Sequence, residues 1–363
     1  MNLSPTLFSK LRDIGWTMAF FIIGVNVYSM IRFWELNLPW NNFLWDTVTA
    51  TLGGALGGLL LGILHEFTDN RSIRRRPFGA VILLKTLLDL LVIFVVFVPV
   101  TSLTGGIFTE MTFQESLDYN VAYMQSLPFV GLLIYLLMLS VLFNFLKQVS
   151  KKFGSGVMLG LLLGRYHNPR EDERIFMFLD LKASTTHAEK LGHVRFSRLL
   201  QDCFYDLNSV LLAYEAHIYK YVGDEAILTW NIQSGVRSAN CLRMYFAFHQ
   251  LLQDKRAWYL EHYGLVPMFK AGVHLGRVTL AEVGEYRREI EYHGDVVNTA
   301  ARIQQQCNVY GKRILLSKGL YDILNKAPNL HFDPIGEIEL KGKKEWVKVY
   351  SVEEEAIAAV SQD

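Results

Sequence analysis

The sequence predicts two parts suited to two solvents, an α-helical membrane domain of four transmembrane helices followed by an α+β soluble domain. Three observations carry this. Of the 71 Asp, Glu, Lys and Arg residues, 17 fall in residues 1–146 and 54 in residues 147–363. Four apolar runs of near-spanning length fill the first part, and alternating strand and helix patterns fill the second. The whole chain is 51% hydrophobic with a net charge of +1 and a mean hydropathy of +0.19. That balance excludes a polyelectrolyte built for nucleic acid and a largely disordered chain. Three cysteines (Cys203, Cys241, Cys307) are an odd count without CxxC spacing, which fits a reducing compartment and neither a disulfide framework nor a zinc cage.

The apolar runs are Ile14–Ile31, Thr47–Leu64, Gly79–Val100 and Phe129–Leu146, each close to the roughly 20 residues that cross a hydrocarbon core. The first lacks the small-x-small cleavage site of a signal peptide. Lys10 and Arg12 precede the first run, Arg71, Arg74, Arg75 and Arg76 lie between the second and third, and Lys147, Lys151 and Lys152 follow the fourth. Residues 33–46 hold no Lys or Arg, and residues 101–126 hold only Glu110, Glu115 and Asp118. The positive-inside rule then puts both termini in the cytoplasm, in a multi-pass protein of the plasma or inner membrane. Arg32, at the edge of the first run, is the one basic residue on the other side. Gly53, Gly54, Gly57, Gly58 and Gly62 overlap as GxxxG patterns, which serve packing within one bundle or a dimer contact equally well. Lys85 and Asp89, one turn apart, are expected to pair or to face the bundle interior. Residues 153–166 are apolar but too short to span and read as a connecting helix near the membrane face.

From Arg174 the soluble part begins. Ile175–Asp180 reads as a strand, Thr185–Tyr214 as a long amphipathic helix, and His217–Val222 with Glu225–Trp230 as a hairpin closed by Gly223-Asp224. A helix over 233–260, strands at 268–275 and 277–283, a helix over Asp295–Gln306, a strand over Arg313–Ser317 and a β-rich end at 331–352 complete a two-layer α+β domain. The expected boundaries are 1–146 for the membrane domain, 147–170 for a cytoplasmic connector, 171–356 for the soluble domain and 357–363 for a tail.

Asp180 ends a strand and Asp224 sits at a hairpin tip. If the hairpin's first strand pairs beside the strand ending at Asp180, the two carboxylates become neighbours. Hard divalent cations favour such oxygens together with substrate phosphates. Leu181-Lys-Ala-Ser184-Thr185 then enters a helix whose free N–H groups suit phosphate. Taken singly, Asp180 could equally be a helix cap and Asp224 an ordinary turn residue.

Five motifs in order resemble the class III nucleotidyl cyclases: Phe178-Leu-Asp180-Leu-Lys-Ala-Ser-Thr185, Lys220-Tyr-Val-Gly-Asp224-Glu, Ala271-Gly-Val-His274-Leu-Gly276, Gly294-Asp-Val-Val-Asn298-Thr-Ala-Ala-Arg302 and Leu340-Lys341-Gly342. The resemblance covers about 174–352. It implies a cyclase catalytic domain with a ferredoxin-like βαββαβ core, making 3′,5′-cyclic AMP and pyrophosphate from ATP. By the same resemblance, Asp180 and Asp224 would hold two magnesium or manganese ions per site. Arg302 would stabilise the transition state, Asn298 would hold the ribose, Ser184 and Thr185 would lie at the phosphates, and Lys341 would meet the terminal ones. Lys220 and Glu291 would read the base: lysine goes with ATP, while Glu291 departs from the residues usual at its position. Because one subunit supplies the aspartates and the other supplies Asn298 and Arg302, the resemblance implies a homodimer. The expected partners are ATP, a second copy and the lipid bilayer, not nucleic acid. The membrane part anchors and dimerises, and an unidentified ligand or partner there stays open.

Three other readings compete. A guanylate cyclase of the same family differs only in the base. A diguanylate cyclase would rest on Val222-Gly-Asp-Glu-Ala226, yet leaves the Asn298/Arg302 helix unexplained. A catalytically silent membrane receptor would be signalled by loss of a metal aspartate or of the arginine, and none is missing. GxxxxGK[ST], HExxH and GxSxG motifs are absent from the sequence.

Overall fold

The computed structural model describes residues 5–36, 40–68, 76–108, 111–153, 160, 164, 168–286, 288–339 and 346–355. The chain divides into two compact units, Met1–Val157 and Met158–Asp363.

The first unit is helical: α1 (Pro5–Leu36), α2 (Trp40–Thr68), α3 (Phe78–Phe108), α4 (Phe113–Met124) and α5 (Leu127–Phe153). All but α4 are long and apolar enough to cross a membrane, over Lys10–Glu35, Phe43–Thr68, Phe78–Phe108 and Leu127–Ser150. The helix α4 lies within 101–126, between the third and fourth apolar runs, where the sequence reading places no helix. A capping box starts it, with the Glu115 N–H donating to the Thr112 hydroxyl at 3.3 Å and the Thr112 N–H donating to the Glu115 carboxylate at 2.7 Å. Its Asn120 amide donates to the Ser102 hydroxyl of α3 at 2.9 Å.

The glycines of α2 let α1 approach closely. A Cβ on Gly54 would stand 2.7 Å from the Ile22 Cα, and one on Gly58 2.6 Å from the Met18 Cα. These GxxxG positions are therefore spent within one bundle. Asp89 is fully buried, accepting from Asn144 at 2.7 Å and sharing a hydrogen bond with His65 at 2.8 Å. Lys85 is buried too, so both charged residues of this span face the bundle interior as expected. Most of the apolar segment 153–166 lies outside the described residues.

The second unit runs β1 (Arg170–Leu181), α6 (Ser184–Leu191), α7 (His193–Leu211), β2 (His217–Val222), β3 (Glu225–Asn231), α8 (Ile232–Val236), α9 (Asn240–Asp254) and α10 (Arg256–Tyr263). It continues with β4 (Phe269–Val283), β5 (Glu289–His293), α11 (Asp295–Val309), β6 (Ile314–Ser317), α12 (Lys318–Leu324), β7 (Leu330–Glu339) and β8 (Trp346–Glu354). The sheet order is β2-β3-β1-β4-β6-β8-β7, with β5 pairing β4. β1 is antiparallel to both β3 and β4, so the first four strands form the ferredoxin-like βαββαβ core.

Several boundaries differ from the sequence expectation. The helix expected over 185–214 breaks at Gly192, whose φ of 72° belongs to the left-handed region. The stretch 233–260 divides into α8, α9 and α10, and the strands at 268–275 and 277–283 are one continuous β4. The hairpin's second strand, β3, and not its first, lies beside β1.

Alternation along β1 sorts the layers. Ile175, Met177, Leu179 and Leu181 enter a core shared with α7, α9, α10 and α12. Phe176 and Phe178 face the other way, against Val296 and Ala300 of α11. The approach of α11 is close, because a Cβ on Gly272 of β4 would stand 2.1 Å from the Gln304 backbone nitrogen. Cys203, Cys241 and Cys307 are all buried, and none forms a disulfide among the described residues.

Candidate active site

Asp180 is the penultimate residue of β1, opposite Glu225 on β3 and Lys270 on β4. By strand alternation its side chain shares the α11 face with Phe178, and the Gln304 amide of α11 donates to its carboxylate at 3.1 Å. Asp224 sits in the turn between β2 and β3, where Gly223 takes a φ of 61° that a residue with a side chain adopts only with strain. That turn brings the carboxyl groups of Asp180 and Asp224 within hydrogen-bonding reach. Burial, then the charge and hydrogen bond of Asp224, push Asp180 up to about 6, against the pull of Lys270 and Gln304. Glu225 is pushed up to about 7 by burial and then by the same two aspartates. Negative charge at this corner is thus under-compensated.

The donor set fits a divalent cation for that reason. Among the described residues no group of three or more His, Cys, Asp and Glu forms a ready cage. Two carboxylates, completed by substrate phosphates and water, are the set magnesium ordinarily takes.

Ser184 and Thr185 open α6 after Ala183, which holds a φ of 57°, and no side chain caps the helix start. The first N–H groups there are left for a ligand or for water. Lys220 of β2 follows a β-bulge, and its ammonium stands 2.5 Å from Glu291 and 3.3 Å from Glu289 of β5. The Tyr219 hydroxyl donates to the second oxygen of Glu291. Burial alone would raise the Glu291 carboxyl, but the hydrogen bonds from Lys220 and Tyr219 hold it below the usual range.

Asn298 and Arg302 lie on the other side of α11. Val296, Thr299, Ala300, Ile303 and Gln304 form its buried stripe, whereas Asn298 is exposed and Arg302 half-buried. Gln304 points at Asp180, and two residues of α-helix turn a side chain by about 200°. Arg302 is therefore directed away from the aspartates of its own chain. The structure brings Asp180 to Asp224 and Lys220 to Glu291, and leaves Asn298 and Arg302 facing outward. Lys341 lies outside the described residues.

Sequence reasoning missed Tyr219, Glu225, Lys270 and Gln304. Lys270 alone left a trace, as a lysine inside the buried run Phe269–Val273. His274, in the third motif, shares a hydrogen bond with the Ser317 hydroxyl at 2.7 Å.

Residues 167–354 match the family model of the adenylate and guanylate cyclase catalytic domain. The chain belongs to the class III nucleotidyl cyclases. It is 35% identical over 227 residues to adenylate cyclase 2 of Rhizobium meliloti (strain 1021), covering 62% of each chain. It is 25% identical over 183 residues to an adenylate cyclase of Anabaena cylindrica, covering 48% of this chain and 36% of that one. The chain thus spans less than two thirds of the length of both curated relatives. The solved structure of a bacterial light-regulated adenylyl cyclase shares the cyclase fold, with a TM-score of 0.51, 19% identity and coverage of 59% of this chain and 62% of that one.

Proposed function

We propose that this cyclase converts ATP to 3′,5′-cyclic AMP and pyrophosphate at sites shared between two copies of the chain. The observation that carries the reading is the division made by α11: Asp180 and Asp224 lie on one side, Asn298 and Arg302 on the other. An arginine aimed away from its own aspartates serves a phosphate only if a second copy supplies those aspartates. The relative from Rhizobium meliloti, named adenylate cyclase 2, supports the choice of reaction.

In this reading the chain's residues divide the work. Asp180 and Asp224 would hold two divalent cations, which lower the pKa of the ribose 3′-hydroxyl and neutralise the triphosphate when bound. Arg302 of the second copy offers a planar fork to the oxygens of the α-phosphorus as charge grows there. Asn298, one turn earlier on the same face, orients the ribose. The uncapped start of α6, with Ser184 and Thr185, and Lys341 bind phosphates. Lys220 donates to an adenine ring nitrogen while Glu291, kept ionised by Lys220 and Tyr219, accepts from the amino group. The 3′-oxygen attacks the α-phosphorus and pyrophosphate leaves, so the protein positions and stabilises without forming a covalent bond.

The four long helices anchor the enzyme in a plasma or inner membrane, with both termini in the cytoplasm. Residues 1–146 form the anchor, 147–170 the connector, 171–356 the catalytic domain and 357–363 a tail.

The test mixes two inactive proteins. Asp180→Ala and Arg302→Ala chains, each folded and each inactive on ATP, should regain activity when co-assembled, because half of the mixed dimers' sites are intact. No recovery from verified mixed dimers would sink the shared site. Cyclic GMP from GTP in place of cyclic AMP would overturn the base assignment alone.

A further inference from the structure

In the membrane unit, at the end of the bundle where α1 gives way to α2 and α3 to α4, the helices line a half-open cavity of about 170 Å³. Its walls are largely apolar, but four hydrogen-bonding groups at its lining lack acceptors or donors. The Arg32 Nε, the Trp45 Nε1 and the hydroxyls of Ser29 and Ser116 are enclosed without a hydrogen-bond partner among the described residues. Ser29 is 7% exposed and Ser116 2%. Buried polar groups are nearly always paired, and a bilayer offers little water to pair them. Four such groups around one cavity mark the place of a missing acceptor.

The cavity also has a floor made for a guest. Gly57 is buried, yet a Cβ there would meet nothing within 4 Å, and one on Gly53 would meet only Val100 at 3.9 Å. The α1 contact uses Gly54 and Gly58, so packing against α1 does not account for Gly53 and Gly57. Arg32 is held by a hydrogen bond to the Tyr123 hydroxyl at 3.2 Å and lies 5.5 Å from that ring's centre. Asp46 shares the lining and offsets the guanidinium charge, so the missing acceptor need not be an anion.

We propose that this cavity binds a small membrane-soluble amphiphile, its apolar body against Gly53 and Gly57 and its carbonyl or carboxylate head accepting from Arg32 and Trp45. This would account for Arg32, the basic residue that breaks the charge pattern of the loops. The site lies wholly in the membrane unit and does not depend on the reaction proposed above.

The test measures equilibrium binding to the full-length chain in phosphatidylcholine nanodiscs. The probes are decanoate, a decyl-substituted benzoquinone and headless decylbenzene. Saturable binding of decanoate or of the quinone at one per chain is expected, and whichever binds identifies the head as carboxylate or carbonyl. Trp45→Phe and Arg32→Gln should each weaken it at least tenfold. Gly57→Leu should abolish it while the thermal midpoint holds, since the added side chain enters open space. If Arg32→Gln fails to fold, Trp45→Phe decides alone. No saturable binding of either headed probe overturns the site. Equal binding of decylbenzene, or wild-type affinity in the folded variants, overturns the assignment of Arg32 and Trp45.

Discussion

Asp180 and Glu225 hold their protons to higher pH than free carboxyl groups, at about 6 and about 7. For an acid raised in the folded state, the unfolded chain releases its proton first as pH rises. The folded domain therefore loses stability from about pH 4 to pH 7 and does not recover it above. Without divalent cations, Asp180→Asn should melt about 3 °C above wild type at pH 8 and level with it at pH 4. That corresponds to about 1 kcal/mol once solvent screening at this half-buried corner is allowed for. Magnesium should raise the wild-type midpoint at pH 8 and should not raise that of Asp180→Asn. A gain of equal size at both pH values would show that ionising Asp180 in its buried, acidic corner is not what costs the fold stability. The two aspartates were readable in the sequence because strand end and hairpin tip are local signals. Gln304, Tyr219 and Lys270 were not, since each matters through a neighbour between 72 and 124 positions away, and no local pattern records that distance.

The helix α11 depends on one missing side chain beneath it. Gly272→Ala would put a Cβ 2.1 Å from the Gln304 nitrogen, and backbone cannot yield there as a flexible side chain would. A loss of about 3 kcal/mol or more is expected, with α11 lifted and the Gln304 contact to Asp180 broken. Gly319→Ala in α12 is the control. A Cβ there meets nothing within 4 Å, and alanine should stabilise the helix by about 0.5–1 kcal/mol. Thermal denaturation of the two variants in parallel separates these outcomes, and equal stability would refute the close approach of α11. Elements with strong periodicity, such as β1, the β2–β3 hairpin and α11, were readable from sequence. The strand β5 was not, because Glu289 and Glu291 give it a polar alternating face that reads as loop until Lys220 is seen across from it. The helix α4 escaped for a related reason, being short, acidic and set between two much stronger apolar signals.

For the chain as a whole, the charge split in the sequence already separates the four long apolar helices from the α+β domain, since composition is imposed over long stretches. The use of the GxxxG glycines was not readable, because packing within one bundle and packing between copies demand the same small residues. With α1 seated on Gly54 and Gly58, those glycines are occupied, and pairing of two chains falls to other surfaces. If the active site is shared, activity per chain depends on how often chains meet. Fusing enzyme-bearing vesicles with protein-free lipid should lower cyclic AMP formation per chain. Constant activity per chain over a tenfold dilution, in a sample free of permanent dimers, would contradict the shared site.

The burial of Cys203, Cys241 and Cys307 has a practical consequence. With relative exposures of 0%, 0% and 1%, the native thiols are closed to bulky maleimides while the chain stays folded. The wild-type protein is thus a natural blank for thiol chemistry, and any single introduced cysteine reports on its own surroundings. Asp118→Cys on the exposed face of α4 should react with a membrane-impermeant maleimide added to intact cells. Lys190→Cys on α6 should react only after the cells are opened. The reverse pattern would invert the chain in the membrane and put the nucleotide site on the side without ATP.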